Sequence, residues 1–123
     1  MATKILVADD EPNIVISLEF LLKREGYEVV IAHNGVEALQ RIRDERPDMA
    51  ILDVMMPQRN GFEVCQDLRQ DPEFAKLRIM MLTAKGRDTE VSKGLALGAD
   101  VYMTKPFSTR ELVAKVRALI DRA

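Results

Sequence analysis

The feature that most limits how this chain can fold is a strict alternation. Five short apolar runs are separated by five stretches with helical period along its 123 residues. The runs are Ile5–Ala8, Tyr27–Ala32, Met49–Leu52, Ile79–Leu82 and Val101–Met103. Several are continuously apolar rather than alternating, the pattern of parallel strands covered on both faces. The helical stretches cover about Pro12–Glu25, Gly35–Arg46, Gly61–Gln70 and Asp88–Leu97, with a last one from Thr109 to the end. Val15, Leu18, Leu21 and Leu22 form the apolar face of the first, Val36, Leu39 and Ile42 that of the second. Leu112, Val113, Val116, Leu119 and Ile120 form that of the last. Asn34 with Glu37, and Ser108 with Glu111, have the spacing of capping boxes, and Gly26 stands where the first helix should stop. Five β–α units in this order predict an α/β domain over residues 1–123, with right-handed crossovers and helices on both faces of a parallel sheet.

Composition narrows the function classes. Eighteen Lys and Arg against twenty Asp and Glu leave a net charge of −2, which is no footprint for nucleic acid. No stretch approaches the ~20 apolar residues of a membrane helix, and Met1 to Lys4 carry no secretory h-region. The single cysteine, Cys65, excludes an internal disulfide and any zinc site with more than one thiolate. These features point to the cytoplasm. His33 and Cys65 have no partners at ligand spacing and read as a loop histidine and a helix cysteine.

In an open α/β sheet, ligands sit at the carboxyl ends of the strands. Asp9, Asp10 and Glu11 follow the first strand, Asp53 the third, Thr83 and Ala84 the fourth, and Thr104, Lys105 and Pro106 the fifth. An aspartate after a strand is often only a turn former or a helix cap. Carboxylates, a hydroxyl and an ammonium on four strand ends are harder to explain as caps. Carboxylates so close together repel one another, and a hard dication such as Mg²⁺ relieves that repulsion. With no His or Cys in the set, zinc and copper are disfavoured.

Asp9-Asp10-Glu11-Pro12, Asp53-Val54-Met55-Met56-Pro57 with Gly61, Thr83-Ala84 and Lys105-Pro106-Phe107 resemble, in order and spacing, the motifs of response-regulator receiver domains of two-component signalling. The resemblance spans essentially the whole chain. It implies a flavodoxin-like doubly wound sheet of five strands in the order 2-1-3-4-5, with five helices. It also implies roles. Asp53 would accept a phosphoryl group and become an aspartyl phosphate. Mg²⁺ would be held by Asp10, Asp53 and the backbone carbonyl of Met55, with Asp9 acting mainly through water. Lys105 would contact the phosphoryl oxygens, Thr83 would donate its hydroxyl to them, and Tyr102 would turn inward as Thr83 moves. The Lys105–Pro106 bond is cis in the family, although few X–Pro bonds are. The implied function is a phosphorylation-activated switch that catalyses only its own phosphorylation and dephosphorylation. Its donor would be a sensor histidine kinase or a histidine phosphotransferase.

Ile16 and Phe20 lie four apart on the first helix, away from its core face, and border the acidic end where the family docks its histidine donor. The fourth helical stretch, with Thr89, Val91, Ser92 and Gly94, is intrinsically weak and suits a mobile switch element. Gly98-Ala99-Asp100, Phe107-Ser108 and Glu111-Leu112-Val113-Ala114 most resemble receivers of winged-helix transcription regulators, which dimerise through charges on helix 4, strand 5 and helix 5. Asp100, Glu111 and Lys115 match, whereas Val91 and Val101 replace a base and an acid. A weak dimer formed on phosphorylation is the oligomer this leaves open. The output is expected from a downstream protein effector or from a segment outside this sequence.

Two alternatives compete. A Mg²⁺-dependent phosphohydrolase with an aspartyl nucleophile, of the haloacid-dehalogenase kind, needs a general acid two residues after Asp53, where Met55 stands. A receiver fold used only as an interaction module predicts a damaged pocket, yet all five pocket positions are intact.

Overall fold

A computed structural model describes residues 3–84 and 88–121 and shows ten elements in the predicted order. They are β1 (Lys4–Ala8), α1 (Pro12–Arg24), β2 (Glu28–Ala32), α2 (Gly35–Glu45), β3 (Met49–Asp53), α3 (Gly61–Gln70), β4 (Arg78–Ala84), α4 (Asp88–Ala96), β5 (Val101–Lys105) and α5 (Thr109–Asp121). The strands form one sheet in the order β2-β1-β3-β4-β5, and every pairing is parallel. The expected 2-1-3-4-5 doubly wound architecture is therefore present. Arg122 and Ala123, at the end of the last predicted helix, lie outside the described residues.

The continuous apolar runs follow from the two-sided burial. Side chains of a strand alternate between faces. Leu6 and Ala8, Ala50 and Leu52, and Ile79 and Met81 join the core under α2 and α3. Their neighbours Ile5 and Val7, Met49 and Ile51, and Met80 and Leu82 join the core under α1 and α5. All twelve are at most 2% exposed, and burying each large one is worth about 1.5–3 kcal/mol. The two cores clamp the sheet and fix where its strands end.

The helix ends differ in detail from the sequence reading. Asn34 caps α2 by accepting from Glu37 N–H at 2.8 Å, but the Glu37 carboxylate faces His33 Nδ1 at 3.3 Å instead of closing the box. Ser108 Oγ accepts from Glu111 N–H at 3.3 Å, while the Glu111 carboxylate pairs with Lys115. A reciprocal box stands at α3, where Asn60 and Glu63 exchange side-chain and backbone bonds of 2.9 and 3.0 Å. Gly26, with φ +92°, provides the left-handed residue just after α1. Val36, assigned above to the core face of α2, is 47% exposed, because the buried stripe runs through Gly35, Ala38, Leu39 and Ile42.

Gly35 and Gly61 hold the connection between β3 and α3 against the sheet edge. A Cβ on Gly35 would lie 1.8 Å from the Arg59 carbonyl oxygen, and one on Gly61 would lie 2.5 Å from that of Asp53. Neither backbone atom can yield without moving the loop. Gly35→Ala is expected to lower stability to urea by at least ~1–3 kcal/mol, the usual cost of overpacking. Val36→Ala should stay within about 0.5 kcal/mol. Equal midpoints for the two variants would show that the loop does not rest on Gly35.

Candidate functional site

Three strands deliver charge to one edge. Asp9 follows β1 and continues its ladder, donating from N–H to Ala32 O at 3.2 Å. Its carboxylate is fully buried and accepts from Glu11 N–H at 2.9 Å, which ties it to the start of α1. Asp53 is the last residue of β3, 4% exposed, and its Oδ1 accepts from Met55 N–H at 3.2 Å. Asp10 is exposed, yet Asp9, Asp10 and Asp53 each bring a carboxylate oxygen within 4.8 Å of the others.

Lys105 ends β5, before a cis Lys105–Pro106 bond. Its ammonium lies 3.0 Å from Asp9 Oδ2, 3.1 Å from Glu11 Oε1 and 3.3 Å from Asp53 Oδ2. Thr83 is in β4, the strand between β3 and β5, and is 2% exposed. Its hydroxyl oxygen has no hydrogen-bond partner among the described residues, a costly state for a buried polar group unless something comes to meet it. Tyr102 stays outward, 37% exposed, with its ring 5.3 Å from Lys115 Nζ. The Met55 side chain is exposed as well.

The structure thus brings Asp9, Asp10, Asp53 and Lys105 together at the strand ends, with Thr83 on the intervening strand. The sequence reading counted Glu11 among the charges set against Lys105 but gave it no role of its own. The residue's one local signal is Pro12, which restricts the preceding backbone to the extended region, and Glu11 has φ −91° and ψ 112°. Cys65 is buried, donates to Leu97 O at 3.7 Å and has its thiol pushed up chiefly by burial, so it belongs to the packing.

The charges do not balance. Burial, and then repulsion from Asp9, pushes the Asp53 carboxyl up to about 7 against the opposing pull of Lys105 and the Met55 N–H. Burial alone would lower the Lys105 ammonium, but bonds to Asp9 and Glu11 and the charges of Asp53 and Asp9 hold it above its ordinary value. One ammonium serves several carboxylates, and a buried hydroxyl is unspent. An all-oxygen donor set of this density suits a hard divalent cation such as Mg²⁺.

The sequence matches the response regulator receiver domain family over residues 5–117. The chain belongs to that family. Receiver domains are signalling switches of two-component systems, which bind Mg²⁺ at an acidic pocket and interact with histidine kinases and effectors. This receiver is similar to a putative response regulator from Chloroflexus aurantiacus, with 38% identity over 99% of this chain and 100% of that one and a TM-score of 0.96. It is also similar to the signal receiver domain of a signal transduction histidine kinase from Syntrophus aciditrophicus, with 31% identity, 99% and 95% coverage and a TM-score of 0.91. The chemotaxis protein CheY4 of Vibrio cholerae matches with 32% identity, 97% and 99% coverage and a TM-score of 0.90. Among the described residues, no helix is long and apolar enough to cross a membrane.

The raised Asp53 carboxyl links stability to pH. A carboxyl raised in the folded state favours folding fully below its unfolded value of 3.8, and that contribution is lost as pH rises through about 7. Without divalent cations at pH 8, the receiver carries a penalty of about 2–4 kcal/mol that Asp53→Asn removes. The variant should therefore have the higher urea midpoint at pH 8, with the advantage fading towards pH 4. A pH-independent difference between the two proteins would contradict this balance of charges.

Proposed function

We propose that this receiver accepts a phosphoryl group on Asp53 and passes the signal on by a change at α4, β5 and α5. The observation that carries the proposal is the Lys105 ammonium 3.3 Å from Asp53 Oδ2, beside three carboxylates within 4.8 Å of one another. A buried, under-neutralised carboxylate at a strand end is a nucleophile with little solvation to shed. One of its oxygens forms a bond to phosphorus as the donor's P–N bond to histidine, or P–O bond in acetyl phosphate, breaks. The bonding pair leaves on the imidazole or on acetate. Lys105 holds the phosphoryl oxygens, and the unspent Thr83 hydroxyl donates to one of them once the group is in place. Asp10, Asp53, the Met55 backbone carbonyl and, through water, Asp9 would hold Mg²⁺. When bound, this ion offsets the charge gathered on the equatorial oxygens.

Phosphorylation adds about −1.5 to −2 charge and three acceptors. Drawing Thr83 toward those acceptors shifts the end of β4 and vacates space that Tyr102 can enter from the surface. The fourth helix is the element able to respond, since Gly94 in its second half brings no side chain into the contact with Met81 and Phe62. In this reading residues 1–123 act as one receiver domain in the cytoplasm, a reducing setting that suits the free thiol of Cys65. The output comes from an effector protein or a further segment.

Ile16 and Phe20, each 64% exposed on α1, supply the apolar surface for docking the histidine donor. Incubation with Mg²⁺ and acetyl phosphate should add a single phosphoryl group by intact mass, and none to Asp53→Asn. An unmodified wild-type protein would refute the phosphoacceptor role. Replacing Ile16 and Phe20 together with polar residues should slow transfer from a cognate histidine donor at least tenfold while leaving acetyl phosphate transfer unchanged. Equal loss with both donors would remove the docking role.

A further inference from the structure

Glu11 is the first residue before α1, where a side chain ordinarily accepts from the backbone N–H groups of the first turn. It makes no such bond. Its backbone is fixed instead, with N–H on Asp9 Oδ1 and its carbonyl accepting from Ile14 and Val15. Pro12 keeps it extended. The carboxylate then reaches across the sheet edge to Lys105, a residue 94 positions away.

Of its three N–H donors the Lys105 ammonium gives one to Glu11, hydrogen-bonded at 3.1 Å, and it lies in ion-pair range of Asp9 and Asp53 at 3.0 and 3.3 Å. A phosphoryl group on Asp53 needs at least one of those donors. The partners differ in what they lose on release. Asp9 is fully buried, and its release would strand a carboxylate away from water. The Glu11 side chain is 60% exposed, so water takes over its solvation when it lets go.

We propose that Glu11 is an exchangeable tether. It holds Lys105 across the mouth of the acidic pocket in the unphosphorylated receiver, is displaced when the phosphoryl group arrives, and so restrains loading. It acts through Lys105 and through its own charge, which repels an anionic donor, and is therefore a positioning residue. This rests on the phosphoacceptor role of Asp53 and adds a restraint on the same site.

The test compares wild type with Glu11→Gln, which keeps the shape and removes the charge. At saturating Mg²⁺ and low salt, acetyl phosphate should load Glu11→Gln about two- to fivefold faster, the size of an exposed charge pair. The ratio should fall towards one at high salt, where exposed charges are screened. A second readout is the NMR signal of the Lys105 side chain. It should differ between the two proteins before loading and coincide after it. Loading of Glu11→Gln at the wild-type rate or slower, or a Lys105 difference that survives phosphorylation, overturns the tether while leaving the role of Asp53 intact. A wild type that takes no phosphoryl group overturns both.

Discussion

The ammonium of Lys105 joins the carboxyl ends of β1 and β3 to that of β5, and much of the site follows from that reach. Strand order sets β1 beside β3 but leaves β4 between them and β5. Neighbouring strands lie about 4.8 Å apart, so the cation must pass the end of β4 to meet Asp53 and Asp9. Only a long stem ending in a compact charge does this. The path crosses the strand that holds Thr83, so the arrangement that neutralises the carboxylates also lines the place where a phosphoryl group would sit. One ammonium is not enough for the carboxylates gathered there. Burial first, and then this shortfall, raise the Asp53 carboxyl.

The rigidity of the edge comes from the layers beneath it. Alternate residues of β1, β3 and β4 are sealed in separate cores, so a strand cannot slip by one residue without exchanging the two. That register fixes Asp53 as the last residue of β3 and Lys105 as the last of β5. The two close approaches at Gly35 and Gly61 hold the following loop down. The surface proposed for a dimer is less free than its sequence suggests. Asp100 is engaged with Arg69 at 3.1 Å and with Ile79 N–H at 2.8 Å, and Lys115 donates to Tyr102 O at 3.2 Å and pairs with Glu111. Charges committed within the domain must be released before they can pair across an interface.

Much of this was legible in the sequence because of its periodicity. Continuous apolar runs such as Ile5–Ala8 and Ile79–Leu82 announce strands covered on both faces, and polar residues at their ends announce a site. Details that rest on meetings between distant segments were not legible. Nothing local in Gly35 says that the Arg59 carbonyl lies against it. The spacing of Asn34 and Glu37 predicts a reciprocal box, but His33 captures the Glu37 carboxylate from the residue before the cap. Val36 fits a helical stripe on paper, yet the stripe that is buried runs through Gly35, Ala38, Leu39 and Ile42 and leaves Val36 outward. The contact of Glu11 with Lys105 joins the two ends of the chain.

Asp53 lies buried among more negative charge than Lys105 can neutralise. Carboxyl-carbon NMR of Asp53 as a function of pH measures this directly. In the absence of divalent cations the Asp53 signal should titrate near pH 7, and saturating Mg²⁺ should move the titration well below that. An Asp53 that titrates near 4 and does not respond to Mg²⁺ would contradict the account.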